Sequence, residues 1–191
     1  MSAARLIRTA RRNAQLTQGE LGRRANIDQS RISKAEAGNQ VPTFDSVERL
    51  LRSAGCRLIS VPTTRDDAAT IGAAIRDAVQ DGLDPRAVRL FLQLNDNLVA
   101  EHGAVRFALA LSEPEKTGFK HWDAALAALV EYRLNEERLP IPEWVQSSAR
   151  FLGKSWTFGA GPYTLTPDVA RVPQEFLRRR VLADRDSLVS V

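Results

Sequence analysis

The chain is poor in the residue types that most often carry chemistry or place a protein outside the cell interior. A single cysteine among 191 residues, Cys56, excludes an internal disulfide framework. That residue reads as a small, half-buried hydrophobe. Two histidines, His102 and His121, stand far apart and outside any H-E-x-x-H or C-x-x-C setting, so no metal ligand is nominated. Gly159-x-Gly161 lacks the third glycine and the preceding strand of a nucleotide-binding loop. The carboxylate pairs Glu136/Glu137 and Asp66/Asp67 are adjacent in sequence and would not face one another on a helix. No catalytic residue and no cofactor is nominated, and an enzyme is the least expected class. The absence of an apolar run of about 18 residues, and of a charged start leading into a signal-like core, predicts a soluble, cytoplasmic protein. There is no internal repeat and no low-complexity tract.

What is present is concentrated in residues 16–38. Thr17 and Glu20 form a T-x-x-E capping box, and Leu16 with Leu21 can close a hydrophobic staple around it, so a helix should start at Gln18. Asp28 is a strong N-cap, and Ile27 with Ile32 repeats the staple spacing, so the next helix should start at Gln29. Only Ala25 and Asn26 are left as the turn, too short for antiparallel helices, which predicts a helix-turn-helix crossing. Ile32 and Ala35 face inward, leaving Gln29, Ser30, Arg31, Ser33 and Lys34 outside. Gly38 ends the helix as its C′ residue.

With these residues in place, the stretch from about residue 5 to residue 61 resembles the XRE family of helix-turn-helix regulators, relatives of the phage Cro and repressor proteins. The resemblance rests on Leu-Thr-Gln at 16–18, Gln-Ser-x-Ile-Ser at 29–33 and Glu-x-Gly at 36–38. It implies a five-helix bundle, with a first helix over 3–14 and a fourth from Thr43 or Phe44 to Ala54. In place of the fifth helix, residues 57–61 alternate with β-branched content and read as a strand. In this family such a strand pairs across a dimer.

In a helix-turn-helix the first residues of the second motif helix meet base edges in the major groove. Gln29 is the foremost base reader, because a primary amide can bond adenine N6 and N7 together. The resemblance further implies that Gln18 touches phosphate and braces Gln29, that Ser30, Ser33 and Lys34 align with contact positions, and that Thr17 and Asn39 bond phosphates at the motif's edges. It assigns Arg11 and Glu36 to an internal ion pair. Charge agrees with this reading. Residues 1–62 carry eleven Arg or Lys against five Asp or Glu, a net of +6, and the remainder sixteen against eighteen, a net of −2, which reproduces the +4 of the whole chain. A basic first third supplies the phosphate attraction a DNA binder needs.

The expected organisation is a DNA-binding domain at 1–62, a polar linker at 63–69 and a helical partner-binding or sensing domain at 70–191, in a mainly α protein. Helices are predicted over 71–81, from an Asp84 N-cap with Pro85 at N1 to about 101, over 104–111, and over 120–138, where Trp122, Ala125, Leu126, Leu129, Val130 and Leu134 form a stripe. Residues 139–191 hold five of the nine prolines and two of the three tryptophans, with short helices at 143–151 and 174–179. Trp144 reads as core. Trp156, Phe158, Tyr163, Phe176 and Arg178 are the candidates for a partner surface, since aromatics and Arg are enriched at interfaces, with Trp156 and Phe158 reading equally well as core. The run Arg178-Arg179-Arg180 reads as a solvated or partner-facing patch.

By family habit, the resemblance implies a homodimeric repressor on an inverted repeat whose second domain binds and neutralises a toxin encoded nearby. The proline-rich turns of 140–191, with Phe176 to Arg180 and the final Asp-Ser-Leu, resemble regulators encoded beside nucleotidyltransferase-like toxins. The alternative is a repressor whose second domain senses a small molecule, which requires a pocket lined by Trp122 or Trp156.

Overall fold

The computed structural model describes residues 3–159 and 167–188. The chain divides into two compact units, Met1–Ser60 and Val61–Val191. Each has its own apolar core.

The first unit contains α1 (Ala3–Asn13), α2 (Gln18–Ala25), α3 (Gln29–Glu36) and α4 (Phe44–Ser53). Their inward faces bring together Ile7, Leu16, Leu21, Ile32, Leu50 and Leu51, all nearly inaccessible to solvent. Thr17 and Glu20 complete a reciprocal capping box at the start of α2, and the Asp28 side chain accepts from the Ser30 N–H at the start of α3. Ala25 belongs to α2, one residue later than the expected turn. The connection is Asn26 to Asp28, with Asn26 left-handed at φ 51° and its successor's N–H bonded to the Gly22 carbonyl. A Cβ at Gly22 would stand 2.6 Å from the Ile27 carbonyl oxygen, so the turn can lie on α2 only over a glycine. Gly38, at φ 77°, ends α3 as its C′ residue.

The strand expected over residues 57–61 does not form. The segment carries no regular element, and Ile59 is 81 % exposed. A strand exists through a neighbour's backbone hydrogen bonds, and no segment among the described residues supplies them here. Cys56 is half-buried against the core.

The second unit is built around α8 (Lys120–Glu136), with α5 (Ala68–Gln80), α6 (Asp84–Ala100), α7 (Gly103–Leu111) and the short α9 (Gln174–Arg178) packed about its core. α5 starts inside the stretch expected as linker, because Asp67 accepts from the Thr70 N–H and caps it. α6 is not capped by Asp84. Leu83 holds the cap position without a side-chain bond, after Gly82 has turned the chain at φ 72°, and Asp84 and Pro85 fall in the first turn. α8 is more than an amphipathic stripe, since Ala124, Ala127, Ala128 and Glu131 on its other faces are buried as well. A helix enclosed on all sides is a central helix. The helix expected over 143–151 is broken into two 3₁₀ turns, Glu143–Gln146 and Ser148–Arg150, because Ser147 takes an extended ψ of 133°. Two short strands, β1 (Trp156–Thr157) and β2 (Val181–Leu182), pair in parallel, with Trp156 opposite Val181.

Charges complete this core. Arg179 is fully buried, pairs with Glu131 and donates to the Val145 carbonyl at 2.8 Å. Arg150, 1 % exposed, reaches Asp123 and the Pro114 carbonyl. Arg133 donates twice to Asn95 Oδ1. A buried charge persists when it is paired and hydrogen-bonded, as each of these is.

Candidate nucleic-acid interface

The helix-turn-helix is held from behind by one carboxylate. Glu36, the last residue of α3, is 4 % exposed and accepts from Arg11 Nε at 2.7 Å, Arg11 Nη2 at 2.9 Å and Gln18 Nε2 at 2.9 Å. Arg11 also donates to the Leu16 carbonyl, and Arg8 to the Glu36 carbonyl. Burial works against ionisation of Glu36, yet the bonds from Arg11 and Gln18 and the charges of Arg11 and Arg8 outweigh it and hold its pKa below the ordinary value. The same contact raises the pKa of Arg11. One ion pair therefore joins α1, the start of α2 and the end of α3.

With Ile32, Ala35 and Glu36 buried, the opposite face of α3 presents Gln29, Ser30, Arg31, Ser33 and Lys34, all exposed. No hydrogen bond among the described residues engages the Gln29 amide. Its Oε1 lies 3.9 Å from where a Cβ on Gly19 would be, so the first turn of α2 stands beside the first turn of α3. Gln18 does not brace Gln29. Its amide nitrogen donates to Glu36 Oε2, the same oxygen that accepts from Arg11 Nη2, because a carboxylate oxygen can accept two hydrogen bonds. Thr17 is exposed with its hydroxyl in the capping box, and Asn39 is exposed where its N–H closes on the Lys34 carbonyl at 2.9 Å. Glu20 and Asp28 keep their charge, since backbone N–H bonds from residues 17 and 30 lower their pKa. Arg23 and Arg24 are exposed on the last turn of α2, two cations not singled out from the sequence. Their signal was their position at the C-terminal end of the first motif helix.

The candidates for a partner surface are not brought together. Phe176 is fully buried and Phe158 is 8 % exposed, both in the core of the second unit, so neither stands at its surface. A proline-broken segment with few helical bonds is held by such side chains, which is why they are inside. Trp156 is half-buried against His121, and Tyr163 lies outside the described residues. Arg178 is 51 % exposed and holds Glu131 at 2.6 Å. The expectation of a solvated Arg178-Arg179-Arg180 patch is corrected at its centre, where Arg179 is inside. His102 pairs with Glu137 at 2.5 Å, and no group of His, Cys, Asp or Glu able to hold a metal occurs among the described residues. No helix among them is long and apolar enough to cross a membrane.

Two capped helices joined over a glycine, with an unengaged polar face on the second, define a helix-turn-helix of the DNA-reading kind. In agreement, residues 2–57 match the family model described as a helix-turn-helix domain, which supports a DNA-binding transcriptional regulator. No curated protein and no solved structure matches the chain.

Proposed function

We propose that the chain represses transcription as a homodimer on an inverted repeat upstream of its own gene, in the cytoplasm, with α3 in the major groove. The observation that carries this is the outer face of α3. Gln29 is exposed and unengaged at its N-terminus, Ser30, Arg31, Ser33 and Lys34 follow on the same surface, and Thr17 and Asn39 flank it. In this role Gln29 reads a base, Lys34 and Arg31 meet phosphate or base edges, and Gln18 adds a phosphate contact through whatever capacity Glu36 leaves it. Half-sites about 34–36 Å apart, or a multiple, follow from two readers on one face of the duplex. The exposed segment 57–61, with Ile59 and Leu58 outward, is the proposed element for pairing two copies.

Binding of Gln29→Ala to the chain's own upstream sequence should weaken by about 1–3 kcal/mol and lose base choice at one position per half-site, whereas Lys34→Ala should weaken all sequences alike and lower the salt slope by about one. Equal losses for Gln29→Ala on natural and scrambled DNA would remove Gln29 from the base-reading role.

For residues 61–191 we infer a regulatory arm that binds and neutralises a toxin encoded nearby. Its support is the family habit of pairing such a reader with a partner-binding unit, together with exposed apolar side chains at Leu111, Phe119 and Val169 and the exposed Arg178. Co-expression with the product of the adjacent gene, followed by co-purification and growth rescue, tests it. Failure of both refutes it. A small-molecule sensor is the second reading, favoured by a cleft lined by Trp122 and Trp156.

A further inference from the structure

In the second unit α6, α8 and β1 enclose an open cleft of about 410 Å³, within the range of small-molecule sites. One wall is aromatic. The His121 ring lies 4.6 Å from that of Trp156 at 34°, and Trp122 stands 5.6 Å from Trp156 at 60°. Behind them Phe158 and Phe91 pack at 4.6 Å and hold the wall in place. Ligand stacking on such a wall costs little ordering, because its side chains are already fixed.

Ring nitrogens on the aromatic wall make no hydrogen bond among the described residues. Trp122 is 2 % exposed, yet its indole N–H makes no hydrogen bond among the described residues. The same holds for the Trp156 indole and for both His121 nitrogens. The other buried indole of this unit is satisfied, since Trp144 Nε1 donates to the Ala110 carbonyl at 3.1 Å. Nor is the Trp122 N–H sealed in, because the buried unpartnered side-chain atom among the described residues is Arg179 Nε. Trp122 is also one of the residues that line the cleft.

The facing wall is the first turn of α6, with Pro85, Val88 and the exposed Asp84, whose carboxylate makes no ion pair among the described residues. Burial lowers the pKa of His121, against the pull of Asp84 and Asp123. Asp84 is the one carboxylate among the described residues lining the cleft.

We propose that this cleft binds a planar, cationic nitrogen heterocycle, stacked on the half-buried His121 and Trp156 rings beside the edge of Trp122, with its charge toward Asp84. Indole faces attract cations, the carboxylate sets the sign, and the free indole N–H groups offer donors to an acceptor on the ligand. The inference concerns the second unit and stands apart from the DNA-reading role.

N-methylquinolinium and its uncharged parent quinoline, titrated calorimetrically into the full chain at neutral pH, test it. The cation should bind saturably, one per chain, with a Kd below about 1 mM, and quinoline about tenfold more weakly. Asp84→Asn, on an exposed residue, should remove most of that preference while leaving quinoline unchanged. Trp156→Phe should weaken both ligands, with the far-ultraviolet spectrum confirming the fold. Absence of saturable binding, equal affinity for the two ligands, or an Asp84→Asn variant that binds the cation as tightly as the parent protein would each overturn the proposal.

Discussion

Glu36→Gln is the substitution that most sharply tests how the first unit is held. It keeps the shape of the side chain and one acceptor oxygen, but removes the charge that Arg11 meets with two hydrogen bonds. Breaking a fully buried pair by removing one partner costs about 3–5 kcal/mol. Arg11 is 14 % exposed and can recover some hydration, and the glutamine oxygen still accepts one bond, so a loss of about 2–3 kcal/mol is expected. A unit of some 60 residues has a total stability of about 3–9 kcal/mol, so this is a large part of it. The melting temperature should fall by about 10–20 °C. All three tryptophans, Trp122, Trp144 and Trp156, are in the second unit, so urea unfolding followed by fluorescence reports residues 61–191, while circular dichroism reports both units. The helical signal should lose its first-unit transition at lower urea with the fluorescence midpoint unmoved. The pH dependence has a definite sign. Because the folded pKa of Glu36 is lowered, its contribution is complete above the unfolded carboxylate value of about 4.3 and is lost as pH falls through the lower folded value. The gap between parent and variant should therefore be full at neutral pH and close in strong acid. A variant within about 0.5 kcal/mol of the parent at neutral pH would refute the assignment.

Gly22→Ala should destabilise the first unit by about 1–3 kcal/mol and weaken operator binding with it, because the added methyl meets the Ile27 carbonyl at 2.6 Å; an unchanged urea midpoint would mean the turn can shift freely. Arg179→Ala should cost the second unit about 3–5 kcal/mol, read as an earlier fluorescence transition, since it strips Glu131 of its fully buried partner. Thr17→Ala should lower the first unit's stability by about 0.5–2 kcal/mol through loss of the α2 cap, and a loss of DNA affinity larger than this accounts for would mark the hydroxyl as a phosphate contact.

The two units differ in how much of them could be read from the chain. Thr17, Glu20, Asp28 and Gly38 act on backbone groups within three or four residues, so local spelling is enough to set the ends of α2 and α3. The inward face at Ile32 and Ala35 follows from helical periodicity. What escaped is non-local. Nothing near Arg179 in sequence distinguishes it from Arg178 and Arg180; it is inside because Glu131, 48 residues away, is inside too. The alanines at 124, 127 and 128 weaken the visible stripe of α8, and their burial depends on which elements close over them. Gln18 was read toward Gln29, whereas the acceptor capacity of Glu36, 18 residues on, decides where its amide goes. Trp122 and Trp156 were both visible as candidates for a pocket. That they share one with His121 and Asp84 depends on a β1–β2 pairing with no local signature.

That pairing also sets a timetable. On a growing chain the carboxylate clamp of the first unit closes within residues 8–36, whereas β1 waits for a partner 25 residues downstream and Glu131 for Arg178 and Arg179. At about 5–20 residues per second, synthesis from Trp156 to Val181 takes about 1–5 s. During that interval the DNA reader is complete, while the aromatic wall has a loose edge and α8 carries an unpaired acid. A message cut short before Arg178 would yield a finished helix-turn-helix unit joined to an unfinished second unit.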